Sequence, residues 1–359
     1  MKKLNINLKE RLRGSMGGKH FIRFTSVKYL LLFLSLSLLS WQPVTSEDEE
    51  DVYFSIAVLP DTQFYISGTQ GGTLEMFQEQ INWIKNNQAA EKIAYVAHVG
   101  DIVNSGGTTN TTQWMDARDM MYQLETPLPG LPDGIPYGVA IGNHDQSGNG
   151  QPLNTPLYNI YFGYSHFAGR SYYGGRFGTD NNNNHYDLFS AGGLDFIVIY
   201  AEYNNDKELF NAGYMTEVNN WIYDVLTTYS SRKAIIVSHY LIGNGTPGRW
   251  SNQGKRLYDR IKNLNNVFLM LCGHIQDNGE GYREDTYNCN TIKTYLSDYQ
   301  GRVEEDGERR GGFGRMRLMK FNITKQTLSV RTFAPRADGN HLIENDEDSE
   351  FTKPLFGTD

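Results

Sequence analysis

The stretch "YGVAIGNHD", residues 137–145, decides how the rest of the chain is read. An apolar run of strand length stops at Gly142, and Asn143, His144 and Asp145 follow at once. A turn asks for glycine and asparagine. It does not ask for an imidazole and a carboxyl beside them.

The same arrangement recurs along residues 52–332. "VYFSIAVL" runs into Pro60-Asp61 with Gln63 just beyond, and "IAYVAHV" runs into Gly100-Asp101 with Asn104 three residues on. "LDFIVIYA" ends at Glu202, "AIIVS" at His239, and "VFLMLC" at Gly273-His274 with Gln276 two residues later. Segments of helical length separate several of these runs. In "LEMFQEQINWIKNNQAA", Leu74, Phe77, Ile81 and Ile84 fall at helical spacing. "TQWMDARDMMYQL", "TEVNNWIYDVLTTY" and "QGKRLYDRIKNL" read as helices too. Strands alternating with helices predict an α/β fold of βαβ units around a largely parallel sheet. Near the end, "TYLSD", "RMRLMKFN" and "TLSVRTF" follow one another without helices and read as antiparallel. Residues 146–184, rich in Gly, Asn and Tyr, read as a long loop insertion, and residues 299–313 as a charged loop. No repeat or linker divides the chain. One domain over 47–359 is expected, with a motif core at 52–335 and an apolar tail (Phe351, Pro354, Leu355, Phe356) packing back.

In an open α/β sheet the loops at the carboxyl ends of the strands converge on one crevice. The candidates are therefore Asp61 and Gln63, Asp101 and Asn104, Asn143 with His144 and Asp145, His239, and His274 with Gln276. Singly, each has an ordinary explanation: Asp61 as a cap, His239 as a structural histidine. Five strand ends delivering such groups together point to a site. Its donors are carboxylates, amides and imidazoles without a cysteine motif, which suits Mn²⁺, Mg²⁺, Fe²⁺ or Zn²⁺. Two such ions about 3.5–4 Å apart can share a carboxylate and a bridging hydroxide that is nucleophilic at neutral pH.

The charge balance bears on partners. The 359 residues include 33 basic and 41 acidic side chains. Residues 1–46 hold eight of the basic ones and one acid, Glu10, around the apolar run "YLLLFLSLSLLSW". That run is short for a transmembrane helix, and Val44 and Ser46 fit a cleavage site, so 1–46 reads as a signal peptide. An extracytoplasmic protein with no stable membrane span after cleavage is expected; an uncleaved N-terminal anchor is the alternative. The remaining chain carries 25 basic and 40 acidic residues. Such a domain repels nucleic acid and anionic membranes. Any phosphate it handles needs a bound cation to invert the local field. Cys272 and Cys289, the two cysteines, are open to pairing or to standing as separate thiols.

The series Asp61-x-Gln63, Gly100-Asp101-x-x-Asn104, Gly142-Asn143-His144-Asp145, His239 and Gly273-His274-x-Gln276 resembles the calcineurin-like metallophosphoesterase superfamily. The resemblance implies a four-layer αββα sandwich with two mixed β-sheets. It implies two divalent ions bridged by Asp101, with Asn143, His239 and His274 completing one site and Asp61 in the other. His144 would then assist the leaving group, with Asn104 as its orienter and Asp145 beside it. The reaction implied is hydrolysis of a small phosphomonoester or phosphodiester by a metal-bridging hydroxide.

The chain departs from the family pattern at three places. The superfamily usually has Asp-x-His first and Gly-His-x-His last, and both second histidines bind the ion held by Asp61. Here Gln63 and Gln276 stand instead. A glutamine oxygen is a weaker, harder ligand than imidazole. An oxygen-only, softly held subsite for Mg²⁺, Mn²⁺ or Ca²⁺ is expected; glutamines that hold only a water, or one absent ion, are the alternatives. The third departure is Asn104, where protein phosphatases of the superfamily continue Asp-Arg-Gly with a carboxylate partner for the histidine. Small phosphoesters thus remain as substrates, and a degenerate one-metal binding module is the competing class. Around this core, Arg176 could clamp a phosphate or lie solvated. Glu202 reads as a surface or capping residue more readily than as support for the site, and His98 reads as packed within its strand.

Overall fold

Apolar runs without alternation require a fold that buries both faces of a strand. The computed structural model, which describes residues 50–107, 109, 111–204, 212–276 and 279–357, has two such sheets. The signal-peptide reading of 1–46 lies outside the described residues. In the first sheet, β1 (Tyr53–Leu59), β2 (Ile93–His98) and β3 (Tyr137–Val139) run parallel. β11 (Met316–Asn322) joins the other side of β1 antiparallel, followed by β12 (Thr327–Ala334). The tail supplies β13 (Leu342–Glu344) and β14 (Glu350–Pro354), both pairing antiparallel with β12.

The second sheet is ordered β4 (Tyr173–Arg176), β5 (His185–Ala191), β6 (Leu194–Ala201), β7 (Lys233–Ser238), β8 (Val267–Cys272), β10 (Asn290–Ser297), β9 (Glu280–Tyr287). Its consecutive strands β6, β7, β8 and β10 are parallel. "TYLSD" is therefore not antiparallel to its sheet neighbour β8, as the missing helix suggested. An unforeseen hairpin strand, β9, returns the chain so that β10 lies parallel to β8.

Side-chain alternation fixes the layers. Along β1, Phe54, Ile56 and Val58 enter a core shared with Phe196, Val198 and Tyr200 of β6, and with Ile235 and Val237 of β7. The alternate residues Ala57 and Leu59 face a second core under α1 (Gln63–Ser67), α2 (Leu74–Asn87), α3 (Thr111–Met121), α4 (Pro156–Tyr161) and α5 (Tyr164–Phe167). Ile197 and Ile199 of β6, with Ala234 and Ile236 of β7, meet α6 (Ala212–Thr228) and α7 (Asn252–Ile261) in a third. Three cores between four layers make the αββα sandwich. Among the described residues, no helix is long and apolar enough to cross a membrane.

Residues 146–184 are not the plain loop their composition suggested, since they contain α4, α5 and β4. The run Asn182-Asn183-Asn184 is buried and acts as polar mortar. Asn182 Nδ2 donates to the Phe162 carbonyl (3.0 Å), and Asn183 Nδ2 to Glu202 Oε2 (3.0 Å). Glu202, 3% exposed, also accepts from Gln146 Nε2 (2.9 Å), the Leu153 N–H (2.8 Å) and Tyr214 OH (2.8 Å). The surface reading of Glu202 is thereby corrected: it ties the insertion to the end of β6. Tyr172 is buried in the core under the first sheet, and the Arg176 guanidinium lies 3.7 Å from the centre of the Tyr164 ring. Cys272 is a buried free thiol and Cys289 an exposed one, so they do not pair.

One carboxyl sits between the sheets. Asp187 accepts from Tyr95 OH, its Oδ1 has no hydrogen-bond partner, and burial pushes it up to about 8. A raised carboxyl gives stability that is complete below its unfolded value near 4 and is lost as pH rises through 8. Asp187→Asn removes this proton. Unfolding free energies of variant and parent, measured from pH 5 to 8, are expected to diverge in the variant's favour, with a slope approaching about 1.4 kcal/mol per pH unit. Parallel curves would refute this assignment.

Candidate active site and metal centre

The carboxyl ends of β1, β2 and β3 in one sheet, and of β7, β8 and β10 in the other, carry the site. Two glycines explain the local sequence. A Cβ on Gly142 would stand 2.1 Å from Asp101 Oδ1, and one on Gly273 would stand 2.1 Å from Asp61 Oδ1. The backbone passes so close because its N–H groups hold the carboxylates. The His144 N–H donates to Asp101 Oδ1 (2.8 Å), and the His274 N–H lies 3.3 Å from Asp61 Oδ2. The glycines in "GNHD" and "GH" are thus steric requirements of the acids they touch.

Asp61, Asp101 and His239 form a buried floor, 2%, 2% and 0% exposed, while Asn143, His144 and His274 are half-buried at the rim. His239 Nδ1–H donates to the Val99 carbonyl (3.1 Å), which fixes the tautomer and leaves Nε2 with a bare lone pair. That atom lies 3.1 Å from Asp101 Oδ2, 3.2 Å from His274 Nδ1 and 3.9 Å from Asp61 Oδ2. Ligand atoms of Asp101, His239 and His274 all fall within 4.8 Å of one another.

The electrostatics have the same origin. Burial, then the charges of Asp298 and Asp101, raise Asp61 well above the carboxylate range. Burial opposes charge on His239, yet the Asp101 carboxylate beside it outweighs burial and raises it. Burial and then His239 bring His274 down to about 3. Such a crowd of lone pairs and like charges is what a divalent cation relieves.

The residues fit that group on a further count. Asn143 donates from Nδ2 to Asn149 Oδ1 (2.7 Å), leaving its buried Oδ1 without a donor. Gln63, 3% exposed, donates from Nε2 to Gln300 Oε1 (3.2 Å), leaving its Oε1 likewise bare. Buried acceptors without donors are rare and ask for an explanation.

Other expected site residues fall differently. Gln276 is exposed, unlike Gln63. Asp145 is buried and braces loops, accepting from the Val103 N–H (3.1 Å) at Oδ1 and from the Gly142 N–H (2.8 Å) at Oδ2. Both its oxygens accept from backbone N–H groups. Asn104 does orient His144, but through its main-chain carbonyl, 2.9 Å from Nδ1. The ring therefore turns Nε2 free of that bond. His98 is buried; its Nδ1 accepts from the Gly100 N–H (3.2 Å) and its Nε2 lies 3.0 Å from Thr62 Oγ1.

Sequence reasoning missed Asp298 and Gln300, both buried, just after β10. The Gln300 Nε2 lies 3.4 Å from the Asp61 carbonyl. "TYLSD" ends in an acid, like the runs before Asp61, Asp101 and Glu202, and that was the available signal. Tyr203 and Tyr240 were missed too; their ring centres lie 5.3 and 4.5 Å from that of His274.

The chain is 30% identical over 309 residues, 83% of its length, to the uncharacterized protein YvnB of Bacillus subtilis (strain 168), and spans 21% of that relative's own length. A dimetal phosphatase from Danio rerio aligns over 85% of this chain and all of its own, at 13% identity and a TM-score of 0.48. GAP50, the anchor in the inner membrane complex of Plasmodium, aligns over 83% of this chain and 91% of its own, at 12% identity and a TM-score of 0.46. The model of the calcineurin-like phosphoesterase family matches residues 54–278, a span that takes in the loops holding Asp61, Asp101, Asn143, His239 and His274, and the chain belongs to that family.

Proposed function

We propose that this protein is a metal-dependent phosphoesterase that hydrolyses small phosphomonoesters or phosphodiesters outside the cytoplasm. The observation that carries the reading is the meeting of Asp61, Asp101, His239 and His274 at one floor, with the bare Asn143 Oδ1 at its edge. Asp101, Asn143, His239 and His274 would hold one divalent ion, and Asp61 with Gln63 would share the other. When bound, such ions polarise a phosphoryl oxygen and lower the pKa of water to near neutrality. His144 stands at the rim with Nδ1–H donating to the Asn104 carbonyl, which leaves Nε2 clear of that bond; as the imidazolium it would give its Nε2 proton to the departing oxygen and be left as neutral imidazole. The N–H of the same residue holds Asp101 in place, which couples proton donor and ligand in one turn.

Export is supported by the basic and apolar character of residues 1–46. The acidity of the remainder supports small esters over nucleic acid. One observation favours a second reading, a one-ion binding module: Gln276 is exposed. The purified full-length chain, assayed on p-nitrophenyl phosphate and bis-p-nitrophenyl phosphate with Mn²⁺, Mg²⁺, Zn²⁺ or Ca²⁺, separates the two. Metal-dependent turnover of either ester is expected. No turnover with any metal, at one bound ion per chain, would establish the module instead.

A further inference from the structure

We propose that Asp298 is a ligand of the second cation, completing with Asp61 and Gln63 an all-oxygen subsite that replaces the missing imidazoles. This deepens the phosphoesterase reading and rests on it.

Four observations carry the assignment. Asp298 is 0% exposed and lies at the carboxyl end of β10, the strand that extends the parallel run β6-β7-β8. It therefore reaches the crevice exactly as a further strand-end residue must, from the same side as His239 and His274. Its Oδ1 accepts from the Gln300 N–H (3.1 Å), but its Oδ2 has no donor. Gln300 ties this carboxyl to the Asp61 turn, since the residue whose N–H holds Asp298 Oδ1 also places its Nε2 3.4 Å from the Asp61 carbonyl. Two buried carboxyls tethered to one another in this way need something positive near them when both are ionised.

The glutamines complete the geometry. Gln300 follows Asp298 by two residues, accepts from Gln63 Nε2, and reaches toward the Asp61 carbonyl. Gln63 is thereby held two residues from Asp61 with its buried Oε1 free of any donor. Three oxygens, from Asp61, Gln63 and Asp298, share one buried neighbourhood, and two of them lack a donor. Gln276 is not needed for this set, which accords with its exposure. Asp298 also lies beyond residue 278, where the family match ends. The added carboxylate supplies an anionic donor where two glutamines bind more weakly than the imidazoles they replace.

An all-oxygen set prefers hard ions. The second subsite should then take Mn²⁺, Mg²⁺ or Ca²⁺ ahead of Zn²⁺, while the imidazole-containing subsite keeps its affinity for Zn²⁺.

The test uses the full-length chain, stripped with chelator and titrated with Mn²⁺ alone. Bound metal is read by equilibrium dialysis with elemental analysis, and spin coupling by electron paramagnetic resonance. The parent is expected to bind two Mn²⁺ with a coupled spectrum. Asp298→Asn keeps the shape and the acceptor for the Gln300 N–H. It should retain one tight ion, lose the coupled signal, and weaken the second ion by at least ~10-fold. Gln63→Glu, which adds charge to the same subsite, should tighten the second ion and serves if Asp298→Asn does not fold. Two ions of unchanged affinity in Asp298→Asn, or no tightening in Gln63→Glu, would overturn the inference and leave Asp61 and Asp298 sharing a proton. A parent that binds no Mn²⁺ would instead overturn the phosphoesterase reading itself.

Discussion

Replacing His144 with alanine is expected to lower kcat by about 10²- to 10⁴-fold while the protein keeps its fold and its metal content. The separation follows from which atoms do what. The main-chain N–H of residue 144 holds Asp101 Oδ1, and alanine supplies that group equally well. The side chain contributes only the imidazole, oriented by the Asn104 carbonyl. Because the acceptor is backbone, Asn104→Ala should leave kcat within about threefold, against the larger loss expected if an amide side chain aimed the ring. Steady-state rates beside metal analysis on the same samples check both. Loss of metal in His144→Ala would make the imidazole a ligand, and a collapse of kcat in Asn104→Ala would return the orienting role to its side chain.

The second large effect should come from a methyl group. Gly142→Ala places a Cβ 2.1 Å from Asp101 Oδ1 and 2.4 Å from the Asp101 backbone nitrogen. Backbone cannot swing aside as a flexible side chain can, so the carboxylate or the whole turn must move. Displacing a ligand by about 1 Å costs on the order of 10²-fold in rate. Gly142→Ala should therefore lose roughly that factor in kcat/KM and bind Mn²⁺ more weakly. The sheet cores lie away from the change, and the chain should still unfold cooperatively. Calorimetric Mn²⁺ titration with thermal unfolding of the same variant decides the matter. Unchanged metal affinity and rate would mean that the loop yields without moving Asp101.

Much of this could be read along the chain, because most of the decisive signals are local. "VFLMLC" is uniformly apolar since each residue faces one core or the other, and the polar residue that ends such a run marks the crevice. Asp61, Asp101, Asn143, His239 and His274 were legible for that reason. Other features depend on partners distant in sequence. β10 lies parallel to β8 only because β9 folds back between them, and no composition announces that. Asp298 ends its strand without a neighbouring glycine or histidine to flag it. Asn182, Asn183 and Asn184 look like solvated linker until their bonds to Phe162, Glu202 and Tyr214 are seen. The role assigned to the Asn104 amide belongs to its carbonyl, a group every residue has.

The six strand ends come from both sheets: Asp61, Asp101 and Asn143 follow β1, β2 and β3, whereas His239, His274 and Asp298 follow β7, β8 and β10. A cation gripped by both sets would work as a rivet at one edge of a seam otherwise held by apolar packing and by cross-sheet bonds such as Tyr95 OH to Asp187. Chelation would then free the slabs to shear at this edge, and amide exchange near the strand tips would quicken before any helix loosens. Metal binding and closure of this edge of the sandwich would then be one property, set by the same few oxygens and nitrogens.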